Sequence, residues 1–90
     1  MRVARRYIIS GRVQGVGFRY FTEATAQREG VAGWVRNLPD RSVEVVAEGD
    51  ADAVERFERA VRLGPPGARV DHVHVDGNYP VANETEFSIK

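Results

Sequence analysis

One uninterrupted stretch of the chain, Gly11-Arg12-Val13-Gln14-Gly15-Val16-Gly17-Phe18-Arg19, concentrates residue types that grip an oxyanion. Gly15 and Gly17 free the backbone to turn, so that successive N–H groups converge on one concavity. A helix starting after Gly17 adds its own unpaired N–H groups and the positive end of its dipole. Arg19 brings a planar guanidinium, which matches a phosphoryl group through two parallel hydrogen bonds. The combination suits one tetrahedral dianion. Two other phosphate loops are excluded. Gly17-Phe18-Arg19 stands where a triphosphate-binding loop ends in Gly-Lys-Ser/Thr, and Tyr20 occupies the place of the third glycine in a dinucleotide fingerprint. The plain alternative is a tight strand-to-helix turn with a surface arginine.

A second stretch, Gly33-Trp34-Val35-Arg36-Asn37-Leu38-Pro39-Asp40, closes a strand-like run. The amide of Asn37 offers both a donor and an acceptor, which can hold a water in a fixed direction. A strand-end asparagine also serves as a turn former or backbone satisfier, and pairing with the Arg19 loop is what would raise the first reading. Other chemistries find little support. The chain has no cysteine, which removes disulfides, thiolate metal sites and a Cys nucleophile. Ser10, Thr22 and Ser42 have no adjacent His–acid constellation to activate them. His72 and His74 share one face of a strand, but no third ligand accompanies them, so a solvated face is expected and no metal or cofactor.

Charge narrows the partners. Thirteen basic and thirteen acidic side chains in 90 residues cancel to zero, whereas a generic nucleic-acid binder carries a large basic excess. The zero hides a split. Residues 1–36 hold seven arginines against two glutamates, a net +5, and residues 37–90 hold six basic against eleven acidic groups, a net −5. The split suggests an anion-binding first half, or else a mixed solvated surface. No apolar run approaches the ~20 residues of a membrane span. Tyr7-Ile8-Ile9, after the basic N-terminus, is too short for a signal-peptide core. A cytoplasmic monomer without membrane or nucleic-acid partners is expected, with Trp34 and Tyr7 in the core or lining a pocket.

The elements that must position the two stretches follow from periodicity and punctuation. Strands are expected near Val3–Val13, Val31–Leu38, Val43–Glu48 and Arg69–Val75, with a short last one at Glu84–Lys90. In Val43–Glu48, Val43, Val45 and Ala47 alternate with Glu44, Val46 and Glu48. Val70, Val73 and Val75 break alternation, which points to a bulge. A helix over Phe18–Glu29 presents Phe18, Phe21, Ala24 and Thr25 on one face and ends at Gly30. A second helix, capped by Asp50, carries Val54, Phe57 and Val61 inward and Arg56, Arg59 and Arg62 outward. Pro39 suits the first central position of a turn. The order is β-α-β-β-α-β, in which the fourth β region can divide in two. This predicts an α+β, ferredoxin-like sandwich: one domain over residues 1–90, an antiparallel sheet with two helices on one face.

With both motifs placed, the sequence resembles the acylphosphatase family, small hydrolases of carboxyl–phosphate anhydrides. Gly11–Arg19 agrees with the family's first signature throughout. Gly33–Asp40, followed by Ser42-Val43-Glu44, agrees with most of the second, and the resemblance spans essentially the whole chain. It implies that Arg19 binds the phosphate together with backbone N–H groups of Gln14, Gly15, Val16, Gly17 and Phe18, and that Asn37 orients the attacking water. The implied substrate is a small acyl phosphate, with inorganic phosphate as product and inhibitor and no cofactor. A non-catalytic anion-binding or interaction module of the same fold is the alternative. Two positions depart from the family pattern: Arg41 where glycine is usual in the hairpin, and Glu29 in the last turn of the first helix. The first costs roughly 1–2 kcal/mol if the left-handed geometry persists. The second is dipole-unfavourable by a few tenths of a kcal/mol.

Overall fold

Runs of Val, Ile and Tyr punctuated by Gly and Pro fold as seven elements in the computed structural model, which describes residues 1–90. They are β1 (Arg2–Arg12), α1 (Phe18–Glu29), β2 (Ala32–Asn37), β3 (Val43–Asp50), α2 (Ala51–Leu63), β4 (Arg69–Asp76) and β5 (Phe87–Ile89). The sheet order is β4-β1-β3-β2-β5. β1, β3, β2 and β4 pair antiparallel, the ferredoxin-like arrangement expected from the element order. The divided fourth β region becomes two strands on opposite edges of the sheet. β5 runs parallel to β2, a departure from the all-antiparallel expectation. The reason is directional: β4 finishes at the end of the sheet where β2 begins, so residues 77–86 cross that end and β5 starts alongside β2.

Alternation decides what each face buries. Tyr7, Ile9, Val35, Val43, Val45, Ala47 and Phe87 face the two helices, which return Phe18, Ala26, Val54, Phe57 and Val61. The Phe57 ring lies between Tyr7 and Phe87, at centroid distances of 6.3 and 5.9 Å. On α1 the buried stripe is Phe18, Thr22, Thr25 and Ala26. Ala24, expected inward, is exposed. Two threonines can sit there because each hydroxyl donates to the carbonyl four residues back, Thr22 to Phe18 and Thr25 to Phe21, both at 2.8 Å. The bulge falls where alternation broke: the register shifts between Ser10 and Gly11 opposite β4. His72 and His74 are exposed, as expected.

The face away from the helices is drier than its polar residues suggest. Glu44 and Glu48 of β3 are 4% and 1% exposed. Glu44 accepts from Arg6 Nε and Arg36 Nε, both at 2.6 Å. Glu48 accepts from Arg2 Nε at 2.8 Å and from the backbone N–H groups of Ala82 and Glu84 at 2.8 and 3.1 Å. Trp34, expected in the core or a pocket, is instead half-buried on this face, with Arg36 at 5.3 Å and Lys90 at 4.7 Å from its ring. On the helix side, Arg5 bridges to Glu55 and Glu58 at 3.0 and 2.8 Å, and the Tyr7 hydroxyl donates to Glu58 at 3.1 Å. Glu29 is accommodated through Arg56 of α2, whose Nε donates at 2.8 Å. That bond, the largest influence, holds its carboxyl below the ordinary value.

Burial pushes the Glu44 and Glu48 carboxyls upward. In Glu44 the bonds from Arg36 and Arg6 outweigh it, in Glu48 those from the Ala82 N–H and Arg2, and both end below the ordinary 4.5. Groups that titrate lower folded than unfolded stabilise the fold fully above about pH 4.5 and lose that contribution as pH falls through their folded values. The urea midpoint is therefore expected to drop steadily below about pH 4.5. Glu44→Gln should be less stable at neutral pH and show a shallower acid slope in the same titration. An equal slope in that variant would remove Glu44 from the account.

Candidate active site

The ladder ends meet at one end of the sheet. Arg12 pairs with Arg69 there, and Asn37 with Val43. The β1–α1 loop, the β2–β3 turn and the α2–β4 connection therefore converge. Val13 is fully buried and Phe18 nearly so, which pins both ends of the loop to the core. Between them Gly15 and Gly17 take left-handed backbone angles, φ +75° and +77°, that other residues adopt only with strain. A Cβ on either would meet nothing within 4 Å, so conformation rather than crowding demands glycine. Gly17 caps α1 without any side-chain acceptor, and the first ladder bond runs from Phe21 N to Gly17 O at 3.0 Å. The N–H groups of the first helical turn thus have no intrahelical acceptor.

A pocket of about 150 Å³ opens at this helix end, lined by Val13, Gly15, Gly17, Phe18, Arg19, Tyr20 and Asn37. At roughly 30 Å³ per water molecule it has the scale of one small oxyanion. Arg19 and Asn37, 18 residues apart in sequence, share it. Both are half-buried, and the Arg19 guanidinium bonds no other side chain. Among the loop residues singled out from the sequence, Gly15, Gly17 and Phe18 line the pocket, whereas Gln14 and Val16 lie outside its lining. Val16 packs on the hydrophobic core. Tyr20 and Val13 were not foreseen as lining residues. Tyr20 is 68% exposed, and an exposed aromatic directly after the key arginine was the available signal.

Gln14 does something sequence reasoning did not anticipate. Its Nε2 donates to the carbonyls of Leu38 and Ser42, each at 2.9 Å. These carbonyls belong to the β2–β3 turn, so one amide fastens the glycine loop to the segment directly after Asn37. The turn is closed by Arg41 N–H to Leu38 O at 3.1 Å and Leu38 N–H to Ser42 O at 2.9 Å. Pro39 holds the first central position, as its fixed φ suggests. Asp40 accepts from the Ser42 hydroxyl and from its N–H at 3.0 Å. Those two bonds, the hydroxyl first, hold the Asp40 carboxyl below its ordinary value. Arg41 keeps the left-handed geometry, at φ +77°.

Comparison with known proteins agrees with the fold. The acylphosphatase family model matches residues 5–89. The chain is 52% identical over 88 residues to an acylphosphatase of Nitrobacter hamburgensis, covering 98% of this chain and 86% of that one. It is 47% identical over 89 residues to an acylphosphatase of Anaeromyxobacter dehalogenans, covering 99% and 96%. The crystal structure of acylphosphatase from Bacillus subtilis superposes with a TM-score of 0.94 at 41% identity, covering 100% of this chain and 99% of that one.

The Gln14 bonds yield a direct test. Gln14→Ala removes two hydrogen bonds while each carbonyl keeps its backbone donor, a cost of about 0.5–1.5 kcal/mol per bond. Urea unfolding should register that loss. An unchanged midpoint would mean that the loop and turn hold together without the amide.

Proposed function

Because this chain belongs to the acylphosphatase family, we propose that it hydrolyses acyl phosphates at the pocket shared by Arg19 and Asn37, by direct attack of water on phosphorus. The supporting observation is their meeting, from separate elements, in one pocket at the uncapped start of α1. An acyl phosphate is already activated, because its leaving group is a carboxylate. Positioning and charge stabilisation then dominate over covalent work. Arg19 and the N–H groups of the Gln14–Phe18 loop hold the phosphoryl oxygens and stabilise their growing charge. Asn37 aims the water opposite the leaving oxygen. The water oxygen bonds to phosphorus as the bond to the acyl oxygen breaks, and the electron pair leaves with the carboxylate. The water proton passes to a phosphoryl oxygen, since no carboxylate or imidazole lines the pocket. Residues 1–90 act in this reading as one domain, a cytoplasmic monomer that needs no cofactor.

The assay is hydrolysis of acetyl phosphate in the presence of chelator. Arg19→Ala should lose at least ~10²–10³-fold in kcat/KM, the scale of a removed charge-stabilising donor. Near-normal turnover by folded Arg19→Ala would sink the assignment. Asn37→Ala should lower kcat far more than it weakens inorganic phosphate, because water positioning matters only in the reaction. Phosphate itself should inhibit competitively. A protein that bound phosphate in this pocket yet hydrolysed nothing would instead be the binding module of the same fold.

A further inference from the structure

Four of the twelve arginines have no carboxylate within ion-pair reach: Arg12, Arg19, Arg41 and Arg59. Three of them gather at the site end of the sheet. Arg19 lines the small pocket. Arg12 and Arg41 line a second depression of about 390 Å³, which shares Val13 with the first and so lies directly beside it. Arg69 forms its third basic wall, with its guanidinium already engaged by Asp71 at 2.9 and 3.2 Å. No acidic residue lines this depression.

Two further observations make the cluster more than surface charge. Arg41 holds a left-handed backbone conformation, at φ +77°, that glycine would adopt without strain, so a long cationic side chain is kept here against a local cost. Arg12 ends β1 and Arg41 lies in the β2–β3 turn, two segments that the Gln14 amide fastens together through Leu38 and Ser42. Those bonds hold the two backbone segments side by side.

We propose that this depression is a subsite for a second anionic group on the substrate's acyl portion, a carboxylate or phosphate carried a few atoms from the reacting carbonyl. The inference rests on the reading of the Arg19 pocket as the phosphoryl site. The phosphoryl group occupies the small pocket, and Arg12 and Arg41 meet the distal anion of the acyl portion. Guanidinium side chains suit either oxyanion through paired hydrogen bonds. Arg12 and Arg41 thereby set specificity and take no part in the bond changes.

The test compares succinyl phosphate with butyryl phosphate, which share chain length and differ in a terminal carboxylate. Wild-type kcat/KM should favour succinyl phosphate by about tenfold at low ionic strength, with the preference shrinking as salt is added. Arg12→Gln and Arg41→Gly should each cut that preference roughly 3- to 10-fold and leave butyryl phosphate turnover within about twofold. Arg41→Gly should also raise Tm, since the strain is relieved, which guards against misfolding as the cause. Arg59→Gln removes the same charge outside both pockets and should leave the preference intact. A wild type with no preference, or an Arg59→Gln variant that loses it equally, overturns the subsite. If butyryl phosphate is not hydrolysed, or if Arg19→Ala does not affect its hydrolysis, the parent reading has failed instead.

Discussion

β3 must be buried on both faces, and much of this molecule follows from that constraint. It lies between β1 and β2. One face meets the helices, and the other is covered by long side chains and by residues 77–86. A strand in that position with two glutamates on its second face must neutralise them, because an unpaired buried carboxylate costs several kcal/mol. Arg6 and Arg36 reach Glu44 from the strands on either side, while Arg2 and two backbone N–H groups close on Glu48. The order of the sheet and the placement of basic residues are thus one problem with one solution.

That solution explains the charge split along the chain. Arg2, Arg5, Arg6 and Arg36 lie in the basic first half, and their carboxylate partners, Glu48, Glu55, Glu58 and Glu44, lie in the acidic second half. The imbalance is the linear image of ion pairs formed across neighbouring strands and between β1 and α2. Most of the basic excess is therefore consumed inside the fold. The cations left over at the site end of the sheet can offer themselves to an anion without competition from a neighbouring carboxylate. A molecule of zero net charge thereby keeps a locally positive end.

Local signals made most of the architecture legible. Gly30 ended α1, Asp50 capped α2 through the Asp52 N–H at 3.3 Å, and broken alternation in β4 marked the bulge. Arg19 and Asn37 were legible as neighbours through the two motifs, and they do share a pocket. What escaped was set by tertiary partners. Ala24 was expected inward on hydrophobicity, but Thr22 lies on the true stripe and is made compatible with burial by its own bond to the preceding turn. The burial of Glu44 and Glu48 escaped because polarity alone does not reveal an arginine on the next strand. The Gln14 bonds need the turn carbonyls to be in place, and no spacing rule announces them. β5 pairs parallel because of where β4 ends, a property of the path rather than of Phe87–Ile89.

The bulged, polar character of β4 bears on how this protein behaves at high concentration. β4 is an edge strand, and an edge exposes unpaired backbone groups that can recruit a strand from another molecule. Along β4 the outward residues are Arg69, Asp71, His72, His74 and Asp76, all exposed, and the register shift interrupts the straight run of amides. A foreign strand docking there would have to desolvate charge and follow a kink. The opposite edge, β5, is only three residues long and offers little to pair with. The irregularity in β4 thus works as colloidal protection for a small sheet that has two open sides.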